Sequence, residues 1–360
     1  MPAPLRILIV DDAAIYRKLV SDAIRSLPDV EIVGTAANGL LALDKIRELR
    51  PDLVTLDLEM PELDGVQVLR RLRAADASVG VIMLSSFTSA NASATTEALS
   101  LGAFDFVLKP SSADRAANQA DLSGDLATKI AAFGRRRRIK PYAEPGVVLG
   151  PTPDSGVSES REHAPPAVVC VGISTGGPEA LCRMLPQLPE DLAVPVFVVQ
   201  HMPPLFTKSL ADDLNRKCKL LVSEGVDGQC VGPGDIVIAP GGRQMGFERR
   251  GKQFVVRLSD DPPENSCRPA VDYLFRCAAR VCKSAVLAVI MTGMGSDGAK
   301  GIRELKRLGA SVVAQDEATC VVFGMPLFPI QEGLVDVVAP LSRIAEEITR
   351  LAGRKEAVCR

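Results

Sequence analysis

Short runs of β-prone apolar residues, each closed by a polar residue or a glycine, recur from Leu5 to Ala314, and most are followed by a stretch of helical period. Strands alternating with helices in this way predict parallel sheets covered by helices on both faces, an α/β architecture of doubly wound type. At 360 residues the chain is too long for one ordinary core, so two such units are expected. The first has strands at Leu5–Val10, Ile32–Ala36, Leu53–Leu56, Gly80–Leu84 and Phe104–Leu108, and a last helix at Asp121–Phe133. The second opens at Ala167 and runs through strands at Val168–Ile173, Val194–Val199, Leu220–Val222, Ile236–Ala239, Ala285–Met291 and Ser311–Ala314. It also holds a hairpin of Gln244–Arg249 with Phe254–Leu258, and a final helix at Leu341–Ala352. Between the units, prolines, Arg135–Arg138 and the polar tract Thr152–Glu162 read as a linker with a solvated charge cluster. The expected division is 1–134, a linker at 135–166, 167–353, and a tail at 354–360.

In the first unit the strand ends carry the chemistry. Asp11, Asp12, Asp57, Ser85 and Lys109 each follow an apolar strand, at the carboxyl edge where open parallel sheets bind ligands. Three carboxylates brought together call for a cation, and a hard ion such as Mg²⁺ suits their oxygens. Lys109 and Ser85 suit phosphoryl oxygens, and a carboxylate can itself be the nucleophile that forms an aspartyl-phosphate.

In the second unit, V-V-C-V-G-I-S-T-G-G at 168–177 is a buried strand turning through glycines into a helix begun by Pro178 and Glu179. Ser174 sits in that turn, where it is either a helix cap or a nucleophile. The chain has two histidines, and His163 lies in the linker, so an imidazole base in this unit must be His201, after the strand 194–199. Asp297 follows the strand 285–291 in a glycine-rich loop. Serine, histidine and aspartate thus converge on one sheet edge, as nucleophilic catalysis requires, with loop amides facing the oxyanion. Two rival readings fail. G-I-S-T-G matches a hydrolase nucleophile elbow, but that fold puts its histidine last and none follows His201. A phosphate loop would need G-x-G-x-x-G spacing or a Walker lysine, and neither is present.

A net charge of −2 and a pI near 5.9 argue against bulk attraction to nucleic acid or anionic membrane. The sequence offers neither a signal-peptide pattern nor an apolar run of about 18 residues, so a protein not inserted in the membrane is expected. The nine cysteines, without C-x-x-C spacing, read as reduced thiols, which points to the cytoplasm.

Residues 5 to about 133 resemble a response-regulator receiver domain, on Asp11-Asp12, Asp57 within D-L-E-M-P-E-L-D-G, Ser85 and Lys109-Pro110. The resemblance implies that a histidine kinase phosphorylates Asp57. It also implies that Asp11, Asp12, Asp57 and the Glu59 backbone carbonyl hold Mg²⁺, and that Ser85 and Phe106 form a switch pair. Residues 167 to 350 resemble the catalytic domain of the chemotaxis protein-glutamate methylesterases, the CheB family. The stretches that carry this are G-I-S-T-G-G-P-E at 172–179, Q-H-M-P-P-L-F-T at 200–207, I-A-P-G-G at 238–242, R-P-A-V-D at 268–272, M-T-G-M-G-S-D-G at 291–298 and V-A-Q-D-E at 313–317. The resemblance implies hydrolysis of glutamate methyl esters on chemoreceptors, with release of methanol, and deamidation of receptor glutamines, without a cofactor for the esterase. It puts Ser174, His201 and Asp297 at the triad positions, the Met294 amide at the oxyanion, and Thr175 beside the histidine. Gln244 and Cys320 stand where the family often has histidine and serine. The competing class is a non-enzymatic regulator such as a transcription factor; no helix-turn-helix pattern supports it, and the acidic pI weighs against DNA.

Overall fold

The computed structural model describes residues 3–75, 77–110, 115–138, 165–251 and 253–353. The first unit contains, in chain order, β1 (Leu5–Val10), α1 (Ala14–Arg25), β2 (Val30–Ala36), α2 (Gly39–Leu49), β3 (Leu53–Asp57), α3 (Gly65–Ala74), β4 (Gly80–Ser85), α4 (Ser89–Ser100), β5 (Asp105–Leu108) and α5 (Arg115–Arg138). Its parallel sheet has the order β2-β1-β3-β4-β5. The chain leaves β1 to one side and returns to β3 on the other, so the carboxyl ends of β1 and β3 flank a topological switch point. All five residues of β3 are buried, as expected of a strand covered on both faces. Asp64 and Gln67 form a reciprocal capping box that starts α3. Just inside that start, Gly65 lies against the Asp57 carbonyl, where any side chain would collide.

The second unit contains β6 (Val168–Ile173), α6 (Gly177–Met184), β7 (Val196–Gln200), α7 (Phe206–Lys217), β8 (Leu221–Glu224), β9 (Cys230–Val231), β10 (Asp235–Ile238), β11 (Gln244–Arg250), β12 (Gln253–Ser259), α8 (Val271–Cys282), β13 (Val286–Ile290), α9 (Ala299–Arg307), β14 (Ser311–Gln315), α10 (Leu327–Gln331), β15 (Val337–Ala339) and α11 (Leu341–Ala352). Seven parallel strands run β15-β14-β13-β6-β7-β10-β8, and β11-β12-β9 form a small antiparallel sheet. The chain builds outward from β6 toward β7 and later crosses to β13, so the switch point lies between β6 and β13. The small sheet packs Phe247 and Phe254 against Phe197 of β7, with the Phe197 and Phe247 rings stacked 4.5 Å apart.

The elements expected from the sequence are present with small shifts at their ends. The helix expected at Asp121–Phe133 is longer: α5 extends to Arg138, so Arg135–Arg138 form its last turn and the boundary expected at 134/135 falls inside it. The polar tract 152–162, His163 and the tail 354–360 lie outside the described residues. Among the described residues no helix is long and apolar enough to cross a membrane.

Candidate active sites

At the first switch point, Asp11 and Asp57 are buried, Asp12 is exposed, and each offers an oxygen within 4.8 Å of the others. Lys109 Nζ lies 2.8 Å from Asp11 Oδ2 and 2.7 Å from Asp57 Oδ2, and sits over the Tyr16 ring. Burial pushes the Asp57 carboxyl up, the Lys109 hydrogen bond pulls it back and the Asp11 charge adds to the rise, leaving it at about 6. One ammonium among three carboxylates leaves a surplus of negative oxygens, and this hard donor set fits Mg²⁺. Glu59 follows in the turn, its amide 3.4 Å from Asp57 Oδ1. The Ser85 hydroxyl is turned away from Asp57: it accepts from Thr95 Oγ1 at 2.9 Å and donates to the Ser86 carbonyl at 3.3 Å.

At the second switch point the Ser174 turn and the 291–298 loop meet. The Ser174 amide donates to the Thr292 carbonyl at 3.0 Å, and the Gln200 side-chain amide donates to the Ser174 carbonyl at 3.0 Å. Position 293 is glycine because a Cβ there would come within 2.8 Å of Ser174 Cβ and against the Met325 sulfur. The backbone is therefore pinned, while the Ser174 hydroxyl makes no hydrogen bond among the described residues. The Met294 amide likewise has no acceptor among them.

His201 Nε2 lies 2.8 Å from Asp297 Oδ2. Asp297 is buried at the start of α8, where it also accepts from the Val271 amide at 2.7 Å, the Asp272 amide at 3.0 Å, the Gly298 amide at 3.0 Å and Asn265 Nδ2 at 2.8 Å. A carboxylate on the first amides of a helix is favoured by orphan N–H groups and by the helix dipole. Burial pushes the Asp297 carboxyl up, but the His201 bond and charge and these amides outweigh it, so it is held below the usual range. Burial alone would lower His201; the Asp297 bond, with the neighbouring Cys267, drives it to about 9. With Asp297 on Nε2, the nitrogen left to accept a proton is Nδ1, which lies 3.6 Å from Cys267 Sγ.

A cleft of about 830 Å³ is lined by Ser174, His201, Cys267 and Met294 on one wall and by Asp105, Phe106 and Lys129 of the first unit on the other. The first unit therefore covers the second site. Thr175 Oγ1 donates to Asp105 Oδ2 at 2.9 Å, the Phe106 and Phe206 rings stack with centroids 4.8 Å apart, and Ser100 Oγ donates to Asp213 Oδ2 at 3.2 Å. Met294, Val321 and Val322 pack against the apolar cluster that holds Phe104 and Leu122.

The structure thus brings Ser174, His201 and Met294 to one cleft with Asp297 bonded to His201, and gathers Asp11, Asp12, Asp57 and Lys109 at the carboxyl edge of the first sheet. Thr175, expected beside the histidine, lines the same cleft as His201, and its hydroxyl donates to Asp105. Sequence reasoning missed Asn265, whose side-chain amide bridges Asp297 and Asp272 (3.0 Å to Asp272 Oδ2), along with Cys267, Asp105 and Phe206. Gln244 is buried. Its side chain donates to the Pro262 carbonyl at 3.1 Å and accepts from the Ala270 amide at 2.9 Å, fixing the loop that carries Asn265 and Cys267.

Comparison with known proteins places both halves. Residues 7–121 match the model for the response regulator receiver domain and residues 169–348 that for CheB methylesterase. A protein-glutamate methylesterase/protein-glutamine glutaminase of Desulfotalea psychrophila is 46% identical over 96% of this chain and 97% of its own length. One from a Nocardioides species is 45% identical over 98% of this chain and 96% of its own. The crystal structure of the Thermotoga maritima CheB methylesterase catalytic domain is 44% identical and superposes with a TM-score of 0.51, covering 52% of this chain and all of that one. The chain therefore belongs to the CheB methylesterase family, with a receiver domain ahead of the catalytic domain.

Proposed function

We propose that this protein hydrolyses glutamate methyl esters on chemoreceptors and deamidates selected receptor glutamines, and that phosphorylation of Asp57 by a histidine kinase releases the activity. The observation that carries the reading is the His201–Asp297 bond beside Ser174 at the switch point of the second sheet. Ser174 Oγ attacks the ester carbonyl while its proton passes to His201 Nδ1, and the tetrahedral oxyanion is received by the Met294 amide. His201 then returns the proton to the departing methoxide, giving methanol and an acyl-serine. Water, deprotonated by the same nitrogen, cleaves the acyl-serine to restore the glutamate. On a glutamine the leaving group is ammonia. Asp297 holds the ring as the Nε2–H tautomer and stabilises the imidazolium formed in each half. The Ser174→Ala variant should lose methanol release by at least about 10³-fold while keeping its circular dichroism and melting temperature; near-normal release would overturn the assignment.

Regulation follows from the cover. A glutamate on a receptor helix cannot reach Ser174 past the Asp105–Phe106 wall, so the docked state is read as the inactive one. At Asp57, bound Mg²⁺ would neutralise charge on the incoming phosphoryl group, held by Asp11, Asp12, Asp57 and the Glu59 carbonyl. Phosphorylation adds about −1.5 to −2 charge, which draws Lys109 and the Ser85 hydroxyl toward the phosphoryl oxygens. Ser85 then leaves Thr95, Phe106 follows, and the stack with Phe206 is broken. Action in the cytoplasm at receptor arrays follows from this substrate class.

A further inference from the structure

Cys267 and His201 are paired in a way that hydrolysis does not need. The half-buried thiol lies 3.6 Å from Nδ1, the nitrogen that must take the Ser174 proton, and Asp297 Oδ2 lies 2.8 Å from the opposite ring nitrogen. Tetrahedral Zn²⁺, with Zn–S near 2.3 Å and Zn–N near 2.0 Å, sets its sulfur and nitrogen ligands roughly 3.5 Å apart. The two atoms thus already stand at that spacing. A carboxylate accepting from the second ring nitrogen is the arrangement that orients metal-bound histidines and raises their basicity. We propose that Cys267 Sγ and His201 Nδ1 form an inhibitory site for a soft divalent cation, Zn²⁺ above all, on the rim of the esterase centre.

Binding would release the Cys267 thiol proton and the proton carried by His201 Nδ1 to solvent, and form metal–sulfur and metal–nitrogen bonds. The metal-bound His201 would be neutral, its Nε2–H still donated to Asp297, and the remaining metal positions would face the cleft and take water. The Nδ1 lone pair would then be occupied, so the Ser174 proton would have no acceptor and acylation would stop. The ligand set is mixed thiolate and imidazole, which favours Zn²⁺ over the Mg²⁺ suited to the all-oxygen cluster at Asp57. Two independent cations would thus act on one chain with opposite effects.

The inference rests on His201 as the base, so binding and activity are read separately. In the first measurement, Co²⁺ replaces Zn²⁺ as a probe, and the full chain is titrated while its near-ultraviolet absorption is followed. A thiolate-to-cobalt charge-transfer band is expected in the wild type and should be lost in Cys267→Ala. An unchanged band in that variant would overturn the site. In the second, methanol release is measured after chelation and then with added Zn²⁺. Zinc should inhibit the wild type, and Cys267→Ala should need roughly tenfold more zinc or beyond for the same fractional inhibition, each protein being compared with its own zinc-free rate. Equal zinc sensitivity in the two proteins would overturn the proposal. Absent release in zinc-free wild type supplied with Mg²⁺ and a phosphodonor would instead count against the esterase reading.

Discussion

The Thr175 hydroxyl donates to Asp105 Oδ2 at 2.9 Å, tying the residue after Ser174 to the strand that carries Phe106. Both side chains are buried, and Asp105 also accepts from the Phe106 amide at 2.8 Å. One carboxylate thus holds the strand of Phe106 and the turn of Ser174 together.

Removing that carboxylate should loosen the cover without touching the triad. A hydrogen bond to a charged group is worth about 1.5–3 kcal/mol. Asp105→Ala should therefore raise methanol release from the unphosphorylated protein by about tenfold and shrink the further gain from a phosphodonor. Unchanged basal release in a steady-state assay would show that this contact does not limit opening.

Asp297→Asn tests the orientation of the imidazole. An amide cannot accept at all the positions now filled by the Val271, Asp272 and Gly298 amides, Asn265 and His201. The ring would lose its Nε2–H partner, and kcat should fall by on the order of 10⁴. Leaving buried donors unpaired should also cost about 1–3 kcal/mol, visible as a lower melting temperature. Wild-type kcat in this variant would remove Asp297 from the mechanism.

The pH dependence has a definite sign. His201 must be neutral to accept the serine proton, and its bonded surroundings raise it to about 9. In chelator-treated protein, kcat/KM should climb about tenfold per pH unit from neutrality and level off near pH 9. Stability runs the other way. The folded value exceeds the ordinary histidine value of about 6.5, so the protonated ring contributes fully below that pH, and its contribution is lost as pH rises through about 9. A plateau reached by pH 7 would contradict this environment for His201.

Much of this was legible in the chain, for physical reasons. Parallel strands buried on both faces leave continuous apolar runs such as V-V-C-V-G-I, and the carboxyl edge of each sheet makes the next polar residue a site candidate. Asp57, Ser174 and Asp297 could all be found on that logic. Asn265 and Cys267 could not, since they lie in an aperiodic loop whose place is set by Gln244 from another strand. The Asp105–Thr175 contact spans 70 residues between two units and depends on how their surfaces meet. The three-residue β15 and the proline-containing α10 are too short to show a period.

The central claim, that phosphoryl chemistry at Asp57 uncovers the Ser174 centre, is tested most directly by methanol release from methylated chemoreceptor membranes. Wild type and Asp57→Asn would be compared with Mg²⁺, with and without a small-molecule phosphodonor. The account predicts that the donor raises wild-type release about tenfold or more and leaves Asp57→Asn at the low basal rate. Equal stimulation of both proteins, or an untreated Asp57→Asn as active as donor-treated wild type, would contradict it.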